Sequence, residues 1–394
     1  MLQQLRRIAL SHQGLSTTRA FGKGSQATQR ALERLGYIQI DTLSVVERAH
    51  HHTLWTRIPD YHPDHLNQLV HERQAFEYWF HAASYLPMRD YRFALRQMAS
   101  IRRGESPYYA DADAKYMSHA IARIRSEGPM KARHFESSPG KNGKWWDWKP
   151  AKRALVKLFM QGDLMITRRD GMEKVYDLRE RVLPADTNTH EPSLEEFSEY
   201  LINTSLNAHG FTSLRQLTHL RTGRALRQAL TTVLQQQIED GSINKYTIAG
   251  MPPVYAAPDI FERKIKRPTA NVHLLSPFDN AIIHRDRMQQ LFAFDYRMEC
   301  YTTKAKRQFG YFCLPILYQD SLLGRVDCKA HRKTGHFELI HMHLEAKAID
   351  LDHFMSHFAK TVHRFARFNN CQHIRVSKVT PEKLASPIKK LFSP

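Results

Sequence analysis

An α+β protein of three tandem winged-helix (helix-turn-helix) units followed by a C-terminal β-rich, barrel-like domain is what the sequence predicts, and three observations predict it. A grammar of helices, a glycine and a short hairpin recurs along the first two thirds of the chain. Beyond Lys266 it gives way to short alternating strands with Gly-containing turns. Over all 394 residues, 58 Lys+Arg stand against 39 Asp+Glu, a formal charge of +19. So basic a surface, spread through patterned segments, expects a folded partner of polyanions.

The clearest copy lies in segment 116–190. Met117 to Arg125 reads as a helix ending at Gly128-Pro129, a short helix follows around Lys131 to Phe135, and Pro150 opens a third helix with the stripe Leu155, Val156, Leu158 and Phe159. Gly162 stops it, LMIT forms a strand, RRDG turns, and EKVYDL returns. Segment 191–265 repeats this with LEEFSEYLINTSL, Gly210, FTSLRQLTHL, the long helix ALRQALTTVLQQQIED and the hairpin INKYTIAGMPPVYAAP. Segment 1–115 carries it in shortened form: LRRIALSHQG, SQATQRALERL with Ser25 as N-cap, Gly36 and the strand YIQID. In 266–378, HLLSPFDNAII, GYFCLPILYQ, SLLGRVDCKA and GHFELIHMHLE read as strands of a small sheet or barrel, and a helix runs from Asp352 to Phe368. The Pro-rich tail 379–394 is expected to be extended or loosely docked.

Composition excludes several classes. With 42% hydrophobic residues the chain is apolar enough to fold, yet no run approaches a membrane span, and MLQQLRRIALSHQG lacks a signal-peptide core. A soluble, cytoplasmic protein without a membrane partner is expected. Cys300, Cys313, Cys328 and Cys371 contain no CxxC pair, which argues against a disulfide scaffold or zinc knuckle. There is no Walker loop, GxGxxG, GxSxG or HExxH.

Five residues carry the most chemistry. In Tyr37-Ile38-Gln39-Ile40-Asp41, strand alternation turns Ile38 and Ile40 to a core and Tyr37, Gln39 and Asp41 to the other face. Gln39 and Asp41 then lie about 6.6 Å apart, two residues at roughly 3.3 Å each. A carboxylate beside an amide can hold a water nucleophile and stabilise an oxocarbenium ion. Local pattern alone favours a plainer role, with Asp41 capping a helix DTLSVVERA. His50-His51-His52 lacks ligand spacing, and His341 and His343 share a strand face without a third ligand, so no metal and no cofactor are expected.

Candidate DNA contacts follow from charge and position. His81 sits among aromatics and can donate to a phosphate or sugar oxygen, or simply pack. In GKWWDWKPAKR, Trp146 and Trp148 are expected to anchor the helix while Lys149, Lys152 and Arg153 meet phosphate. Arg168, Arg169 and Lys174 on the wing, and Lys304, Lys306, Arg307, Lys329, Arg332 and Lys333 near the turns of the β region, are expected to do the same. A solvated edge is the competing reading of the latter set.

The strings IQIDTLSVVERAHHHTLWTRI, EYWFHAASYLPM, WWDWKP, LSPFD, YRMECYT, KRQFGYFCLPIL and GRVDCKAHR, in this order, resemble the winged-helix DNA glycosylase family of AlkZ and AlkX (YcaQ). The resemblance runs from about Gln4 to about Cys371 and implies three winged helices around a concave DNA-binding surface with a C-terminal β domain. The motif Gln39-Ile40-Asp41 is similar to the Gln-aliphatic-Asp motif of the AlkX branch, as against Gln-aliphatic-Gln. It implies catalytic roles for Gln39 and Asp41, and a substrate of double-stranded DNA with N7-alkylated guanine or interstrand crosslinks. It further implies a monomeric, monofunctional, metal-independent enzyme at the bacterial nucleoid. A non-catalytic winged-helix regulator explains the charge and repeats equally, but requires no amide and carboxylate on one face. A nuclease lacks its clustered carboxylates.

Overall fold

The computed structural model describes residues 1–109, 112–135, 150–345 and 349–393. The chain divides into two compact units, Pro63–Tyr200 and Met1–His62 together with Leu201–Pro394. The second of these units joins the chain's N-terminal segment to its C-terminal half, where the helix Leu2–His12 finds its core.

In the unit Pro63–Tyr200, the helix Pro63–His71 leads to an antiparallel hairpin, Ala75–Trp79 with Ala83–Pro87, and the helix Tyr91–Arg102. Asp113 then caps the helix Ala114–Glu127 by accepting the Lys115 N–H at 2.7 Å. The expected short helix around Lys131 is a 3-10 turn, Ala132–Phe135, and Met130–Lys131 pairs instead as a strand. Pro150 opens the helix Pro150–Met160, with Leu155, Leu158 and Phe159 buried and Val156 half-buried. Gly162 ends it at φ +82°, and a Cβ there would stand 2.6 Å from the Met98 sulfur, so both backbone and packing demand glycine. The hairpin Leu164–Asp170 with Glu173–Leu178 follows, the latter strand central in a three-stranded sheet. RRD is therefore not the turn that the sequence suggests. Arg168, Arg169 and Asp170 continue the strand past a bulge, and the chain reverses at Gly171 and Met172.

The helix Leu194–His209 runs across the division between the units. It is followed by the strand Phe211–Thr212, the helices Leu214–Leu217 and Arg224–Glu239, and the strands Asn244–Tyr246 and Val254–Ala256. This repeats the element order of 114–178, and again the last strand lies between the other two.

In the other unit, the helix Leu2–His12 buries Leu5, Ile8, Ala9 and Leu10 in one core with Phe211, Val254, Leu275, Met288, Leu291 and Leu317. The helix Gly24–Leu35 starts a residue before the expected cap. Ser25 falls in its first turn, Lys23 holds the cap position without a side-chain bond, and the Gly24 N–H reaches Asp60 Oδ1 at 3.3 Å. The strand Ile38–Gln39 and helix Ala49–Trp55 follow. Arg57 and Asp279, both fully buried, form a bidentate pair with two hydrogen bonds of 2.7 Å. Arg57 also donates to the backbone carbonyls of Gln13 at 2.7 Å and Thr53 at 2.9 Å. Such a pair survives burial only because every donor is used.

The C-terminal strands form an open five-stranded sheet in the order Val272–Leu274, Cys313–Tyr318, Ser321–His331, His336–Leu344, His373–Thr380. Pairings are antiparallel except the last, which is parallel and needs the crossover helix Leu351–Phe368. The sheet does not close into the expected barrel, since Val272–Leu274 and His373–Thr380 are its two edges. A Cβ on Gly324 would meet the His343 carbonyl oxygen at 1.9 Å, so only glycine lets these two strands approach. The tail is docked as the helix Ala385–Lys390: Ile388 is fully buried and Phe392 lies edge-on to Phe358. Two apolar side chains four residues apart give it the face that an extended tail lacks.

Candidate active site

Burial alternates along the predicted strand. Ile38 and Ile40 are buried, while Gln39 and Asp41 are half-buried; the strand itself covers only Ile38–Gln39, so Asp41 lies just past its end. Tyr37, expected to share the exposure of Gln39 and Asp41, is instead buried, and burial drives its phenol pKa upward. Asn280 holds the start of the strand by donating from Nδ2 to the Tyr37 carbonyl at 3.0 Å. The neighbouring Asp279 is itself fixed by Arg57, so LSPFDN positions the motif through the backbone. Sequence reasoning gives LSPFD no role of its own; the buried polar pair Asp279-Asn280 inside an apolar string is the available signal.

Asp41 does not cap a helix, because the next helix begins eight residues later, at Ala49. Its Oδ1 accepts the Leu43 N–H at 2.8 Å, a local turn that fixes the carboxylate. Burial raises the Asp41 pKa, while backbone N–H groups of Leu43 and Thr42 and the charge of Arg48 oppose that rise. The carboxylate's field extends to the adjoining loop: after burial, Asp41 is the next cause that raises the Cys300 thiol, and it also raises the Tyr301 phenol. Neither residue is among the sequence-derived candidates, although both lie in the string YRMECYT.

The segment after Asp41 is sewn to the five-stranded sheet. The Ala330 N–H donates to the Val45 carbonyl at 2.9 Å, and Asn369 Oδ1 accepts the Glu47 N–H at 2.6 Å. Arg332 donates to the Ser44 carbonyl at 3.0 Å and lies 3.8 Å from the Glu47 carboxylate. Arg332, expected on phosphate, is thus spent on positioning this segment. Lys304, Lys306 and Lys329 are exposed, whereas Arg307 is half-buried, stacks 4.7 Å over Tyr311 and donates to the Thr302 carbonyl.

The remaining candidates belong to Pro63–Tyr200. His81 is buried in the hairpin turn, edge-on to Phe80, which is the packed environment weighed against its functional role. Lys152 is exposed and Arg153 half-buried on the helix Pro150–Met160; Lys149, Trp146 and Trp148 lie outside the described residues. Arg168 is exposed and 3.3 Å from Asp170. Arg169 and Lys174 turn inward instead, onto a buried Glu77 at 2.6 and 3.1 Å. Burial pushes the Glu77 carboxyl up, but Lys174 and Arg169 more than reverse this and hold it below the ordinary range.

His50-His51-His52 occupies a helix. His52 is buried, contacts the Leu274 carbonyl at 2.8 Å, and burial lowers its pKa to about 4. Among the described residues no three His, Cys, Asp or Glu side chains are grouped to hold a metal ion. No helix among them is long and apolar enough to cross a membrane.

Known proteins bear on this arrangement in two ways. The fold is similar to that of Streptomyces sahachiroi DNA glycosylase AlkZ, with a TM-score of 0.63 over 96% of this chain and 99% of that one, at 13% identity. At such low identity the likeness concerns the fold. The family model for DNA glycosylase AlkZ-like proteins matches residues 32–368, which include both Gln39 and Asp41 and the elements that hold them. With most of its length matched, the chain belongs to the AlkZ-like DNA glycosylase family.

Proposed function

We propose that this DNA glycosylase hydrolyses the N-glycosidic bond of N7-alkylated guanine, unhooks interstrand crosslinks made through that base, and leaves an abasic site. The observation that carries the proposal is Asp41, a half-buried carboxylate fixed by its own turn two residues after the half-buried Gln39. N7 alkylation gives the purine a positive charge, so the base departs without a general acid. The C1′–N9 electron pair passes to the base and neutralises it, and positive charge develops on the sugar. Asp41 faces that charge, while Gln39 and Asp41 orient a water that adds to C1′ and loses its proton to the carboxylate or solvent. A carboxylate with a raised pKa is a better proton acceptor than an exposed one. No lysine adjoins the motif to form a Schiff base, which supports hydrolysis without strand cleavage.

The recurrent order of helix, strand, short helix, helix and hairpin supports tandem winged helices as the DNA-binding frame. The Gln-aliphatic-Asp motif supports the AlkX branch. The deciding experiment incubates purified protein with N7-methylguanine duplex, with and without EDTA. Free N7-methylguanine in both samples, with strand breaks only after alkali or heat, is the expected result. Direct strand cleavage, or loss of base release on chelation, rejects the mechanism; intact DNA that is nonetheless bound points to a regulator.

A further inference from the structure

The loop Glu299–Gly310 is anchored on the same strand, Ser321–His331, that holds the segment after Asp41: Asp327 accepts the N–H groups of Tyr311 and Phe312, each at 3.0 Å, and three residues on, Ala330 donates to the Val45 carbonyl. Glu299 closes the loop by accepting the backbone N–H groups of Gln308 at 2.8 Å, Phe309 at 2.8 Å and Gly310 at 3.1 Å. The Thr302 N–H returns to the Glu299 carbonyl at 2.9 Å, and inside the loop Lys306 N–H and Arg307 Nε–H bond the carbonyls of Thr303 and Thr302, each at 2.9 Å. Near its start stands Tyr301, 84% exposed and the most exposed large hydrophobic side chain among the described residues. A ring so exposed contributes little to folding, yet it is held on an ordered loop within the field of Asp41, followed by the exposed Lys304 and Lys306.

We propose that Tyr301 is a specificity-determining contact of this site, laying its ring against the positively charged purine of an N7-alkylated guanine. The inference rests on the substrate class proposed above. An aromatic face attracts a cation, and the attraction grows as the pair leaves water. Lys304 and Lys306 hold the flanking phosphates while Asp41 faces the sugar. When C1′–N9 breaks, the bonding electrons neutralise the purine, so the ring's attraction fades and the released base is held less tightly than the substrate. The attraction is strongest before the chemical step. Its removal is therefore expected to weaken affinity and to leave the rate at saturation equal or somewhat higher, never lower.

The test compares Tyr301→Phe, which keeps the ring, with Tyr301→Leu, which keeps apolar bulk only. Single-turnover base release over a range of enzyme concentrations gives the half-saturating concentration and the limiting rate on an N7-methylguanine duplex. In parallel, anisotropy with each change in the slow-cleaving Asp41→Asn background, read before base release, gives affinity for that duplex and its unmodified counterpart. Tyr301→Leu is expected to weaken binding of the alkylated duplex about 2- to 30-fold. Its limiting rate should not fall, its affinity for unmodified DNA and melting temperature should stay near wild type, and Tyr301→Phe should retain the discrimination. Equal discrimination by Tyr301→Leu overturns the inference, as does an equal loss on both duplexes, which marks general DNA binding. The two readings fail separately. Protein that releases the base but is indifferent to Tyr301→Leu keeps the glycosylase and loses the ring's role, whereas ring-dependent discrimination in protein that never releases base does the reverse.

Discussion

Replacing Asp41 by Asn separates charge from shape at the motif. Asn keeps an Oδ1 that can accept the Leu43 N–H now bonded at 2.8 Å, so the turn persists and only the negative charge is removed. Removing one preorganised electrostatic interaction from a transition state costs about 2.7–4 kcal/mol, roughly a hundred- to a thousandfold in rate. Stability should move the other way. Burial raises the folded Asp41 pKa, so the folded state favours its protonated form. The group's contribution to stability is then fully present below the unfolded pKa and is lost as pH rises through the folded pKa. At neutral pH the neutral amide should leave the melting temperature unchanged or slightly higher. Asp41→Ala, which removes the turn bond as well, should lose about 0.5–1.5 kcal/mol of stability. Single-turnover excision on N7-methylguanine duplex, with thermal melting and DNA affinity of each variant, reads all three quantities. Excision by Asp41→Asn within about threefold of wild type would refute the catalytic assignment, since the charge is expected to be worth far more. A fall in rate matched by a fall in melting temperature would show that the residue serves the fold. As Asp41 must be ionised to act, excision should decline toward acid pH with an apparent pKa above the ordinary carboxylate value.

The placement of charge carries further outcomes. Arg168→Glu should weaken binding to unrelated DNA sequences equally and lower the salt dependence of log K by about 0.9 for each phosphate no longer neutralised, with no change in melting, whereas Arg169→Glu should chiefly lower the melting temperature, because it sets a second carboxylate against buried Glu77. Glu77→Gln leaves Arg169 and Lys174 uncompensated and should lower melting on the order of 10 °C at neutral pH, read by calorimetry. Because the folded Glu77 pKa is depressed, that stabilisation is present above the ordinary value of 4.5 and is lost as pH falls through the folded pKa; a wild-type to Glu77→Gln gap that does not narrow in acid contradicts the ion-pair account.

The sequence by itself determined what depends on neighbours a few residues away. Helices such as Ala114–Glu127, Pro150–Met160 and Arg224–Glu239, the glycines that stop them and the returning strands are written in periodicity and turn chemistry. The alternation of burial that leaves Gln39 and Asp41 half-buried while Ile38 and Ile40 are buried is legible for the same reason. Tertiary structure alone decided the partners. Arg169 and Arg332 read locally like Arg168 and Lys329, yet Glu77 lies 92 residues from the first and Ser44 288 residues from the second. No local pattern distinguishes a cation spent on such a partner from one left to meet phosphate. The N-terminal helix likewise reads as the start of its own module, but its apolar stripe carries no address, and its core lies beyond Phe211. The loop around Tyr301 is illegible for that reason too: what sets it beside Asp41 is a fold that joins residues some 260 positions apart, with Glu299 closing the loop on backbone groups that any sequence possesses.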